Sequence, residues 1–218
     1  MLITLGIIGV VAAITMPTLI KSYQKQVLVN QLKKVVNTLT NNSRKILADE
    51  GVDILQDTSL YTVDGSIQDG NHDFKLNKDN FEKYYKLTPL SENTEYAKLV
   101  NKSMKGDIIE EENGEELYNY YSNDGACITV TSFANEFSGL EVFVDINCDK
   151  RPNKFGYDRF YLILENNGIL NTKQISTDIC SSENLNAEID ESEISLYWAF
   201  LGAGCFNRIV QDGWKMNY

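Results

Sequence analysis

A chain of 218 residues is long enough for one sizeable hydrophobic core with an appendage. Its 20 basic and 31 acidic residues leave a net charge of −11, unevenly spread: Lys21, Lys25, Lys33, Lys34, Arg44 and Lys45 all precede the first acid, Asp49, so residues 49–218 hold 14 basic against 31 acidic side chains, a net −17. A body that acidic repels phosphate backbones, which excludes general nucleic-acid binding outside a local basic patch.

The chain opens "MLITLGIIGVVAAITMPTLI", and no charged side chain occurs before Lys21. As a helix these residues measure about 30 Å, the thickness of a bilayer's hydrocarbon core. A cleavable signal peptide would start with basic residues and end the helical pattern at a small-residue cleavage site. Here there is no basic start, and the pattern continues. From Lys21 to Ala48 the apolar residues Val27, Leu28, Leu32, Val35, Val36, Leu39, Ile46 and Leu47 fall on one helical stripe. The spacing predicts one long helix, apolar all round over residues 1–20, amphipathic over 21–48, and stopped by Gly51. Pro17 removes one backbone donor inside it and crowds the preceding turn, so a kink or a locally unwound turn is expected there.

Residues 51–116 are rich in turn signals, with Asp-Gly pairs at 64–65 and 69–70 and one short helical candidate, Asn80 to Leu87. Between Asp107 and Glu116 six of ten residues are acidic, the mark of a solvated loop. Strand signals then take over. "ELYNYY", "ACITVTSF", "LEVFVDI" and "RFYLILE" are short, β-branched and aromatic, and "SNDG", "SG" and "ENNG" separate them. Hairpins joined in this way make an antiparallel sheet whose apolar face needs a cover, and the amphipathic half of the helix has a stripe of the right width. The expected fold is α+β, a long N-terminal helix packed on an antiparallel β-sheet, with Leu32, Val35, Leu39 and Ile46 against Ile128, Val130, Val142, Val144, Phe160, Leu162 and Leu164. The head then spans 49–218, divided into a turn-rich 49–115, a sheet over 116–170 and a C-terminal part over 171–218. The tail "IVQDGWKMNY" is expected to dock on the head with Trp214 as its anchor.

Cysteines stand at 127, 148, 180 and 205, and none forms a C-x-x-C pair. In a body carried across a membrane an even count favours two disulfides, in one of three connectivities. We favour Cys127–Cys148, which links two expected neighbouring strands, and Cys180–Cys205, which closes the C-terminal loop. Each contributes about 3 kcal/mol on the chain-entropy account. The alternative is four unpaired buried thiols.

The first twenty residues resemble the N-terminal helix of the type IV pilin and type II secretion pseudopilin superfamily, immediately after that family's Phe-Thr-Leu-X-Glu cleavage and methylation motif. The motif itself is not in this chain, which starts at the position following the glutamate. As given, the only basic residues near the span lie on its C-terminal side, and the positive-inside rule would keep the body in the cytoplasm; a basic leader upstream would reverse that. The resemblance implies a non-enzymatic filament subunit, held first in the bacterial inner membrane with its head in the periplasm. It then packs in the core of a pilus or pseudopilus, where Gly6, Gly9, Ala12 and Ala13 allow close approach and Pro17 is retained. It further implies related pilin subunits, a prepilin peptidase, an assembly ATPase and an inner-membrane platform as partners, and makes 49–115 the variable part of the head. The alternative reading of the same helix is a plain anchor for a ligand-binding ectodomain.

Within "VDINCDKRPNKFGYD", Asp145, Asn147, Asp149, Asn153 and Asp158 gather oxygens across a Pro and a Gly. Ca2+ takes six to eight such ligands. The spacing is not that of an EF-hand, and it resembles instead the Asp- and Asn-rich loop common in pilin-like proteins, with Cys148 in place of the usual Gly and with Lys150 and Arg151 beside it. The competing reading, weighted slightly above the metal, is an Asx-rich turn whose side chains cap backbone amides. His72 is the single histidine and is read as a solvated loop residue. The pairs Tyr84-Tyr85 and Tyr120-Tyr121 are read as packing residues, and no nucleotide, metalloprotease or hydrolase motif occurs.

Overall fold

A computed structural model describes residues 2–63, 74–91, 117–135, 139–148, 150, 153–172, 175–181 and 194–218. His72, the Asp-Gly pairs at 64–65 and 69–70, the acidic run 107–116, Asp149 and Arg151 lie outside the described residues.

Helix α1 spans Leu2–Glu50 as one unbroken α-helix. Gly51 follows at φ +69°, a left-handed conformation that ends a helix at little cost only for glycine. The turn around Pro17 remains α-helical, so the expected unwound turn is not found. Proline removes one hydrogen bond, that to the Ala13 carbonyl, and the turns on either side keep theirs.

The sheet is antiparallel and extends further than its sequence signals. Its central strands are β4 (Leu117–Ser122), β5 (Cys127–Asn135), β6 (Gly139–Asp145) and β7 (Arg159–Leu164). To these are added β1 (Tyr61–Val63), β2 (Phe74–Leu76), β3 (Leu87–Pro89) and β8 (Leu170–Asn171). Strand β5 is the hub. One of its edges pairs with β6, while the other takes β4 along Cys127–Thr131 and β2 beyond it, at Phe133 and Ala134. Between β2 and β3 lies α2 (Lys78–Tyr85), two residues earlier than the sequence candidate at each end. Its start is fixed by the Asn77 side chain, which accepts from the Asn80 amide, and its end by Lys86 in the left-handed region. Strands β1, β2 and β3 belong to the sheet although they lie in the turn-rich part 49–115.

Register places the apolar rows over one another. Tyr120, Ile128, Val144 and Phe160 are successive cross-strand neighbours, as are Tyr118, Val130, Val142 and Leu162. Against this face lies the stripe of α1, and every residue of the expected core, from Leu32 to Leu164, is buried in a single cluster. The tyrosine pairs divide between core and surface: Tyr85 and Tyr120 are buried, with Tyr85 sharing a 2.6 Å hydrogen bond with Ser43, whereas Tyr121 is exposed.

Both expected disulfides are formed, Cys127–Cys148 and Cys180–Cys205, each with Cα atoms 4.8 Å apart. The C-terminal part holds a helix that the sequence reading lacks, α3 (Ile194–Gln211), packed against β7. Gly202 lets it approach closely: a Cβ there would stand 3.0 Å from the Tyr161 amide nitrogen. After α3 the tail docks as expected. Trp214 meets Phe206 edge-on at 6.1 Å, Met216 is buried, and the Tyr218 hydroxyl donates to the Gly156 carbonyl at 2.6 Å.

Two substitutions on α1 separate its halves. Leu32→Ala, which empties a fully buried position, is expected to lower unfolding stability by about 2–5 kcal/mol in detergent solution. Ile14→Ala, at a side chain 70% exposed, should leave the head's unfolding midpoint unchanged when both are followed by near-UV circular dichroism.

Candidate functional site

The first half of α1 stands clear of the described residues of the head. Ile7, Ile8, Val10, Val11, Ile14, Met16, Leu19 and Ile20 are each more than half exposed. No described residue comes within 4 Å of where a side chain at Gly6 or Gly9 would begin. Full burial of these eight side chains is worth on the order of 10 kcal/mol, comparable with the whole stability of an ordinary domain. The Thr15 hydroxyl is satisfied within the helix, donating to the Val11 carbonyl at 2.9 Å. It is long and apolar enough to cross a membrane. Pro17, Ala12 and Ala13 lie on this same segment, with Ala13 and Pro17 exposed.

Burial begins at Leu28 and Val29, and basic residues mark the transition. Lys25 donates to the backbone oxygen of Tyr218 and lies 5.9 Å from the centre of its ring; eight residues on, Lys33 stands 5.3 Å from the centre of the Trp214 ring. Lys34 pairs with Asp124 at the β4–β5 turn. The C-terminal tail and a sheet turn thus hold α1 at the level where its apolar half leaves the head.

The second candidate is the β6–β7 connection, which carries the expected metal residues. Asp145 ends β6 and faces Arg159, the first residue of β7, across the ladder; Arg159 Nε donates to Asp145 Oδ2 at 2.8 Å, and both residues are buried. The other oxygen, Oδ1, accepts from the Asn147 amide at 3.2 Å. Asp158 is enclosed by its own loop: Oδ1 accepts from the Lys154 amide at 2.5 Å, and Oδ2 from the Asn153 amide at 2.9 Å and Asn147 Nδ2 at 3.2 Å. The Asn153 side-chain nitrogen, in the orientation its neighbours require, donates to the carbonyls of Cys148 and Lys150 at 3.2 and 2.9 Å. Cys148 and Asn153 both have positive φ, and the disulfide to Cys127 ties the loop to β5. Four of the five expected ligands are therefore brought together, and Asp149 lies outside the described residues.

No family model matches the chain, and no curated protein or solved structure does.

What the β6–β7 loop can do follows from its donors. Calcium requires six to eight oxygens with lone pairs free to point at it. All four carboxylate oxygens of Asp145 and Asp158 already accept from N–H groups of the protein. Among the described side chains of the loop, only Asn147 Oδ1 is a buried oxygen without a partner. The described residues form an Asx turn whose side chains cap its own amides. Lys150, one of the two cations that the sequence sets beside the loop, is exposed. The cation paired with Asp145 is Arg159, which sequence reasoning assigned to a strand; its one visible signal is its place at the head of β7, opposite the end of β6.

Burial pushes the Asp145 carboxyl up to about 7, against the opposing pull of the Arg159 guanidinium, and raises Asp158 as well. A carboxyl raised on folding holds a proton that the unfolded chain releases, so its stabilising contribution is complete below the usual carboxylate value and is lost as pH rises through about 7. The denaturation midpoint of the wild-type chain should therefore fall between pH 5 and pH 8 by more than that of Asp145→Asn, and equal slopes for the two would contradict this assignment.

Proposed function

We propose that this chain is a non-enzymatic structural subunit of a type IV pilus-like filament, anchored in the inner membrane before assembly and polymerised through its N-terminal helix. The observation that carries the reading is the division of α1. Its second half is built into the head, while its first half is apolar on every side, helical from Leu2 and covered by none of the described residues. A helix of that kind is equally well accommodated by lipid and by other helices of its own type, because hydrocarbon and Leu-like side chains are alike as solvents. Transfer from bilayer to filament core then costs little apolar exposure, and Gly6, Gly9, Ala12 and Ala13 permit close helix contact. The head would face the periplasm and later the filament surface. Related subunits, a prepilin peptidase, an assembly ATPase and a membrane platform would be the partners of such a cycle. A secretion pseudopilus would use the same contacts in a shorter assembly.

Electron microscopy of material sheared from cells expressing the gene with its upstream codons, labelled by antibody to the head, tests the proposal. Label along the length of filaments is the expected result, and label at tips alone would make the chain a minor or pseudopilin-type component. Single cysteines introduced by Val10→Cys or Ile14→Cys should crosslink into ladders extending beyond dimers. Monomers alone, with the protein left in the membrane, would favour a tethered ectodomain instead.

A further inference from the structure

We propose that Arg159 is the built-in cation of the β6–β7 loop, and that the loop closes on this guanidinium instead of on a divalent ion. Two carboxylates, Asp145 and Asp158, are buried within one connection, 1% and 0% exposed. Buried carboxylates need a compensating positive charge or a dense set of N–H donors. Asp158 has the donors: the Lys154 and Asn153 amides and the Asn147 side chain. Asp145 has a single backbone amide, and its remaining oxygen is met by Arg159. The guanidinium reaches it from the directly opposite ladder position, so the register of β6 and β7 sets its place.

Other features of the loop make an ion redundant. Its crossing is closed by backbone hydrogen bonds, Ile146 N to Asp158 O at 2.9 Å and Gly156 N to Arg159 O at 2.8 Å. The Cys127–Cys148 bridge fixes its near end, and the Tyr218 hydroxyl on Gly156 O fixes its far end. A divalent cation entering beside Asp145 would have to displace Arg159 or stand next to its charge, and either raises its energy.

The test uses the full chain in detergent micelles at pH 8. Thermal unfolding is recorded in EDTA and then across a CaCl2 titration into the millimolar range. The expected result is a midpoint constant to within about 1 °C, whereas a native-state ion site loaded a hundredfold over its dissociation constant would raise it by several degrees. A saturable rise of that size overturns the proposal. The charge role is read separately from two variants. Arg159→Met should lower the midpoint, and the double variant Arg159→Met with Asp145→Asn should regain part of the loss, because it removes the carboxylate left unpaired. A double variant no more stable than the single one would mean that Arg159 acts by packing and not as the loop's cation. If Arg159→Met does not fold, the calcium titration of the wild-type chain decides alone.

Discussion

The structure depends on the contact between the amphipathic stripe of α1 and the apolar face of the antiparallel sheet. Leu32, Val35, Leu39 and Ile46 project onto the rows of Ile128, Val130, Val142, Val144, Phe160 and Leu162, and all are buried. A helix of 49 residues, about 74 Å long, cannot be covered along its whole length by a head of this size. Among the described residues, those that cover it lie against its second half. The burial of that half fixes where the first half projects, and the basic residues at the transition are held there by the tail and by Asp124.

The C-terminal part completes the head from the other direction. Strand β8 covers only Ile163 and Leu164 of β7, and α3 approaches the earlier residues of that strand through Gly202. The Cys180–Cys205 bridge holds the segment before α3 to the helix, while Asn207 Nδ2 donates to the carbonyls of Thr172 and Ile175, both at 2.7 Å. One tail residue, Tyr218, contacts both α1 and the β6–β7 loop, so these parts of the head are mechanically joined at one point.

The central strands were legible because alternation and turn residues agree over six residues or more, and Gly125, Gly139 and Gly168 sit at the turns with positive φ. Strands β1, β2 and β3 are three residues each, too short for a period of two to stand out. Helix α3 carries two residues of low helix propensity, Gly202 and Gly204, within its length. Both are demanded by packing, and a Cβ at Gly204 would meet Ile179 Cγ2 at 2.1 Å. The Cys127–Cys148 bridge followed from which strands are neighbours, Cys180–Cys205 from closure of the C-terminal loop, and the docking of Trp214 from the apolar and aromatic character of the tail. In the β6–β7 loop the oxygen-bearing residues were visible, but their partners were not. Whether a carboxylate faces an ion, an amide or an arginine depends on register, and the Asp145–Arg159 pair, 14 positions apart in sequence, exists only once β6 and β7 are aligned.

The central claim is that α1 is one helix with two separate allegiances, its second half to the head and its first half to whatever apolar surroundings the chain enters. Its most direct test is to remove residues 1–20 and compare the truncated and full chains for flotation with phospholipid vesicles and for the unfolding midpoint of the head. The account predicts that the truncated chain stays in solution with its midpoint unchanged, while the full chain floats with the vesicles. A truncated head that fails to fold, or a full chain that remains in detergent-free solution without vesicles, would contradict it.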